Sequence, residues 1–110
     1  MNLRRSYKQI LLWVLRRRQR YQIQGSSMLP CLVHGETVLI NPKPRNLKEN
    51  EIIVFHHPLQ EMVLVKRIYK VHADGRFEVR GDDPPESTDS RHFGLVDPNF
   101  VIGKVVSRFS

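Results

Sequence analysis

Cysteine is nearly absent: Cys31 stands alone in 110 residues, which excludes an intramolecular disulfide and a thiolate metal cluster. A reducing compartment fits this usage, and Cys31 is expected to serve as a small buried apolar group. Long hydrophobic runs are missing too. The apolar run Ile10 to Leu15 holds six residues, far short of the roughly 20 that cross a bilayer as a helix. Arginines rather than a small-residue cleavage site follow it, so no export signal and no transmembrane anchor are expected. Acidic residues are lacking from positions 1–20, which carry seven Lys or Arg, whereas positions 21–110 balance at 11 basic against 11 acidic. The net charge of +7 therefore belongs to an N-terminal arm and not to the rest of the chain. Aromatics are sparse at 8%, and Phe55, Phe77 and Phe93 do not interleave with basic residues, so no nucleic-acid surface is expected.

This length suits one domain with a modest core and no separate substrate module. The division expected is a basic amphipathic arm or helix at 1–19 and a domain at 20–110. Two fates suit the arm. As an interfacial helix it would make peripheral membrane contact through residues 4–20, inserting Trp13 and the leucines while arginines meet anionic head groups. Alternatively, Tyr7, Leu11, Val14 and Leu15 would pack it against the domain.

From residue 20 onward the pattern is strands and turns. Tyr21-Gln22-Ile23-Gln24 alternates, Gly25 breaks it, and Thr37 to Ile40 resumes an extended run until Pro42 and Pro44. Ile52 to Phe55 and Met62 to Val65 read as central strands covered on both faces. Asp74-Gly75 predicts a hairpin turn between Arg67–Val71 and Phe77–Arg80. Phe100–Ile102 and Val105–Val106 give a last strand interrupted at Gly103. The fold class expected is mainly β: a small catalytic β domain with a short N-terminal helix.

The chemistry rests on particular residues. A serine hydroxyl is a weak nucleophile until a base takes its proton, and a lysine amine is such a base only when neutral, a state that burial favours. Lys66, between Met62–Val65 and Ile68, has an apolar neighbourhood, while Arg67 points to the opposite strand face and stays solvated or pairs with an acid. Read singly, Ser27 is a turn hydroxyl capping the Met28–Cys31 segment and Lys66 an edge lysine snorkelling to water.

Together they form a pattern. Gly25-x-Ser27-Met28-x-Pro30, then Val65-Lys66-Arg67-Ile68, then Gly81-Asp82-Asp83 and Ser87-Thr88-Asp89-Ser90-Arg91 resemble the type I signal peptidase family of serine/lysine endopeptidases. The resemblance implies a signal-peptidase-like domain with Ser27 as nucleophile, Lys66 as general base and Ser87 as the hydroxyl orienting the lysine amine. It implies structural roles for Asp89 and Arg91, and a turn shaped by Met28 and Pro30 that exposes Ser27. Many export members carry serine where this chain has Gly25, so Ser26 or a backbone donor must help hold the oxyanion beside the Ser27 N–H. Cys31 replaces a common threonine, and Asp83 replaces asparagine.

The missing anchor and the missing long insertion of export peptidases favour a specialised maturase. His57-Pro58, the Gly81–Arg91 stretch and the end Gly103–Phe109 resemble the subgroup that matures nickel-type superoxide dismutase. That likeness implies a precursor protein as partner and removal of its N-terminal leader, with nickel belonging to the product. It implies no cofactor and no metal for the protease, and a cytoplasmic location, peripheral at the membrane if the arm binds lipid. Three other readings stand beside it: processing of another precursor, a metal hydrolase, and a non-enzymatic membrane-surface or nucleic-acid adaptor. The five histidines show no ligand motif and are expected on the surface or in loops. Self-cleaving repressors also use a serine/lysine dyad, but no separate DNA-binding domain is visible.

Overall fold

The structure, a computed structural model, describes residues 6–15, 17–25, 28, 31–82 and 93–108, and all of the side chains among them except that of Val14. The chain begins with helix α1, Tyr7–Val14, whose cap is Ser6: its hydroxyl accepts the Gln9 N–H at 3.3 Å, satisfying one of the free donors of the first turn. Six strands follow: β1 Gln19–Gln22, β2 Thr37–Asn41, β3 Ile52–His56, β4 Val63–Val71, β5 Phe77–Arg80 and β6 Val101–Arg108. They form one antiparallel sheet in the order β1-β2-β6-β3-β4-β5. The molecule is mainly β with one short N-terminal helix, as its sequence predicts.

The sheet buries apolar groups on both faces. Ile52 and Val54 of β3 join one cluster with Ile23, Met28, Leu32 and Val65. Their alternating neighbours Ile53 and Phe55 join another with Ile68, Phe77, Val79 and Phe93. This two-sided burial is the reason β3 reads as an unbroken apolar run instead of alternating.

Several expectations are corrected. Met62–Val65 and Arg67–Val71 belong to a single strand, β4, and its beginning is not covered on both faces, since Met62 and Val63 are exposed. Gly103 does not interrupt the last strand. It pairs with Val54 inside β6, where an added Cβ would lie 2.9 Å from Ile40 Cδ1 and 3.0 Å from the Asn41 carbonyl oxygen. Phe100 closes a short 3-10 turn, Pro98–Phe100, ahead of the strand. In the arm, Tyr7 (79% exposed), Leu11 and Leu15 face outward, so they are not the packing stripe; Ile10, Leu12 and Trp13 are the half-buried ones. His57 lies in the loop after β3, one of the positions expected for the histidines, and is buried there. Cys31 is half-buried against the Met28 cluster rather than enclosed.

Candidate active site

Lys66 sits in β4 opposite Ile53 of β3 and is only 3% exposed. By the two-residue period its side chain shares a face with Leu64 and Ile68. Burial of this kind is the environment that a lysine needs to act as a neutral base.

Arg67, the next residue, leaves from the other face and meets an acid. Its Nε and Nη2 donate to the two Asp82 carboxylate oxygens at 2.9 and 2.7 Å, and Nη1 donates to the Asn50 carbonyl at 2.7 Å. The hydrogen bond to Asp82 is the main cause that raises the Arg67 pKa above its already high value; burial opposes it, and the Cys31 side chain adds to it. This fork ties the strand carrying Lys66 to the Gly81-Asp82 end of β5.

The chain around Ser27 is held at both ends. Before it, Ile23 exchanges hydrogen bonds with the next stretch, its N–H donating to the Glu36 carbonyl and its carbonyl accepting from Gly35, each at 2.8 Å. The Gly25 N–H, at a φ of +85° that favours glycine, donates to Nδ1 of His34 at 2.8 Å. After it, the Leu32 N–H donates to the Met28 carbonyl at 2.9 Å, and both side chains are buried, Met28 at 2% and Leu32 at 0% exposure. Arg108 closes the base by donating to the Glu36 carboxylate and the Cys31 carbonyl.

These contacts bring part of the expected site together. Met28, which follows Ser27, and Val65, which precedes Lys66, are members of the same buried cluster. Ser26, Ser27, Pro30, Ser87, Asp89 and Arg91 lie outside the described residues. β5 reaches along β4 only to Arg67, so the outer edge of β4 beside Val63, Leu64 and Val65 carries no strand among the described residues. Such an edge offers main-chain donors and acceptors to an extended peptide.

Sequence reasoning missed two contributors and left a third, the acid expected to pair with Arg67, unnamed. His34 accepts from Gly25 across nine residues, Asp82 is the partner of Arg67, and Arg108 reaches back 77 residues to Cys31. The adjacency of Lys66 and Arg67 was a signal for the second, since a charged neighbour on the opposite strand face needs an acid or water; the other two leave no local pattern. Two other histidines have structural contacts. His57 Nδ1 accepts from the Leu59 N–H at 3.0 Å, with its ring 4.8 Å from that of Phe93, and His72 lies 2.9 Å from Glu78. No group of three metal-binding side chains is found among the described residues, and no helix is long and apolar enough to cross a membrane.

A family model described as Peptidase S24-like matches residues 16–106. Signal peptidase IB of Staphylococcus aureus, in strains Mu50 / ATCC 700699, N315 and MW2, is 26% identical over 146 aligned residues, covering 81% of this chain and 76% of the relative. The alignment is longer than the chain itself, so these relatives contain residues with no counterpart here.

Proposed function

Because the chain belongs to the Peptidase S24-like family, we propose that it is a serine endopeptidase that processes a precursor protein in the manner of a signal peptidase. Family membership supports serine-type endopeptidase activity in general. The observation that carries the assignment to a particular residue is the burial of Lys66, at 3% exposure, in strand β4 at the position that the family motif gives to the general base.

In this reading the neutral Lys66 Nζ takes the proton of Ser27 Oγ as that oxygen attacks the scissile carbonyl carbon. The tetrahedral oxyanion is held by the Ser27 N–H with help from the Gly25–Ser26 segment. Collapse breaks the C–N bond, and the Lys66 ammonium returns its proton to the leaving amine. Water, deprotonated by the same lysine, then hydrolyses the ester and restores Ser27. Ser87 orients the amine, while Asp89 and Arg91 brace the segment that carries it. An extended substrate lies along the edge of β4 at Val63–Val65, which no strand among the described residues covers. Residues 20–110 form the catalytic domain, with 1–19 as its arm.

The substrate is an N-terminal leader on a precursor protein. The leader of a nickel-type superoxide dismutase is the narrower candidate, resting on the likeness of the Gly81–Arg91 stretch. Mass spectrometry of two precursors, one secretory and one of that dismutase, after incubation with the protein and its S27A and K66A variants, separates the substrates. A single cut in the dismutase precursor alone supports the narrower assignment; a cut in the secretory precursor alone replaces it.

The outward position of Tyr7, Leu11 and Leu15, beside a basic arm, favours a second element: peripheral contact of this cytoplasmic protein with an anionic membrane surface. Sedimentation with vesicles then shows binding to phosphatidylglycerol that salt weakens, and little to phosphatidylcholine. Equal binding to both removes the charge-directed arm.

A further inference from the structure

We infer that His34 is a positioning residue for the Ser27 turn, acting as the neutral acceptor that fixes the Gly25 peptide; this rests on the peptidase reading above. Gly25 stands two residues before Ser27, and its N–H donates to His34 Nδ1 at 2.8 Å. The orientation of that peptide at a φ of +85° sets the direction in which the chain departs toward Ser26 and Ser27. Glycine has more backbone freedom than other residues, and no described residue lies within 4 Å of the position a Gly25 Cβ would occupy. The hydrogen bond to His34 is thus the contact among the described residues that orients this peptide.

The other end of the turn needs no such acceptor. Met28 and Leu32 are sunk in the core and joined by their own backbone hydrogen bond. The stretch before Ser27 is buried and paired as far as Ile23, and beyond it the Gly25 peptide is held by the His34 imidazole. His34 is itself carried on a rigid base. Its neighbour Gly35 donates to the Ile23 carbonyl and accepts from Gln22 Nε2, and the Glu36 carboxylate accepts from the Val33 N–H. These bonds hold stretches 22–25 and 33–36 side by side, so His34 stands at a fixed reach from Gly25.

An imidazole accepts through Nδ1 only when that nitrogen carries no proton, which places the proton of the neutral ring on Nε2. Asparagine offers an acceptor oxygen at nearly the Nδ1 position, whereas alanine offers none. His34 is exposed and its removal creates no cavity, so its loss should act on the geometry of the turn and leave the core intact.

The experiment compares the full chain with His34→Ala and His34→Asn by steady-state cleavage of a leader peptide and by long-range proton–nitrogen NMR of the imidazole. His34→Ala is expected to lose roughly 10- to 100-fold in kcat with KM within about twofold, the scale of a misplaced reacting group, and His34→Asn to recover most of it. The thermal midpoint stays unchanged in both, and the wild-type spectrum shows the Nε2–H tautomer. Wild-type kinetics in His34→Ala, equal losses in both variants, or an Nδ1–H tautomer overturns the inference alone. A wild-type protein that cleaves nothing sinks the peptidase reading and the inference with it, an outcome distinct from the others.

Discussion

Arg67 grips Asp82 through two parallel hydrogen bonds, Nε to Oδ1 at 2.9 Å and Nη2 to Oδ2 at 2.7 Å. Both side chains are about four-fifths covered, at 20% and 21% exposure, so the pair is shielded more than a surface ion pair. It joins the residue after Lys66 to the residue after Gly81. A lysine at 67 keeps the charge but cannot reproduce the fork. Arg67→Lys should therefore lower stability by about 1–2 kcal/mol in denaturant titration and reduce kcat more than it raises KM. An unchanged midpoint and unchanged kcat would show that the fork is dispensable.

Gly103 fixes how closely β6 approaches β2. A methyl group there would sit 2.9 Å from Ile40 Cδ1, 3.2 Å from Ile40 Cβ and 3.0 Å from the Asn41 carbonyl oxygen. Backbone does not yield as a flexible side-chain end does. Gly103→Ala is expected to destabilise the protein by about 1–3 kcal/mol, the usual cost of overpacking. A midpoint equal to that of the wild type contradicts this packing.

The hairpin turn between β4 and β5 carries a pH dependence of definite sign. The backbone N–H of Arg76, and next its guanidinium, hold the Asp74 carboxyl below its usual 3.8. A depressed folded value means stability that is present above pH 3.8 and is lost as pH falls through the folded pKa. Carboxyl NMR titration should place the Asp74 midpoint below 3.8, and Asp74→Asn should remove this share of the acid sensitivity. A midpoint at or above 3.8 would break the assignment.

Much of this architecture is legible in the chain. The unbroken apolar run of β3 signals burial on both faces, and Asp74-Gly75 marks its hairpin through a glycine at a φ of +89°. Strand β4 is obscured because Lys66-Arg67 splits its apolar pattern, although the sheet accommodates both by sending one to each face. Gly103 looks like a strand breaker when read locally; only the neighbouring Ile40 reveals that a small residue is required. The arm misleads for a related reason. Tyr7, Leu11 and Leu15 repeat at helical spacing, but the immediate return of the chain into β1 at Gln19 turns Ile10 and Trp13 inward instead. For the site, Ser27 and Lys66 stand out by motif. The His34 to Gly25 bond depends on two stretches meeting side by side, which no local periodicity encodes.

The central claim is that Ser27 forms an ester with the substrate after Lys66 takes its proton. Acid-quenched intact-mass spectrometry with peptide mapping, during turnover of a leader peptide, tests it most directly. The wild-type protein should gain the mass of the N-terminal product on the peptide containing Ser27. K66M, which substitutes a side chain of similar volume for a buried amine and should fold at least as well, should gain none. An adduct on Cys31, or one that K66M forms at the wild-type rate, would contradict the serine/lysine mechanism.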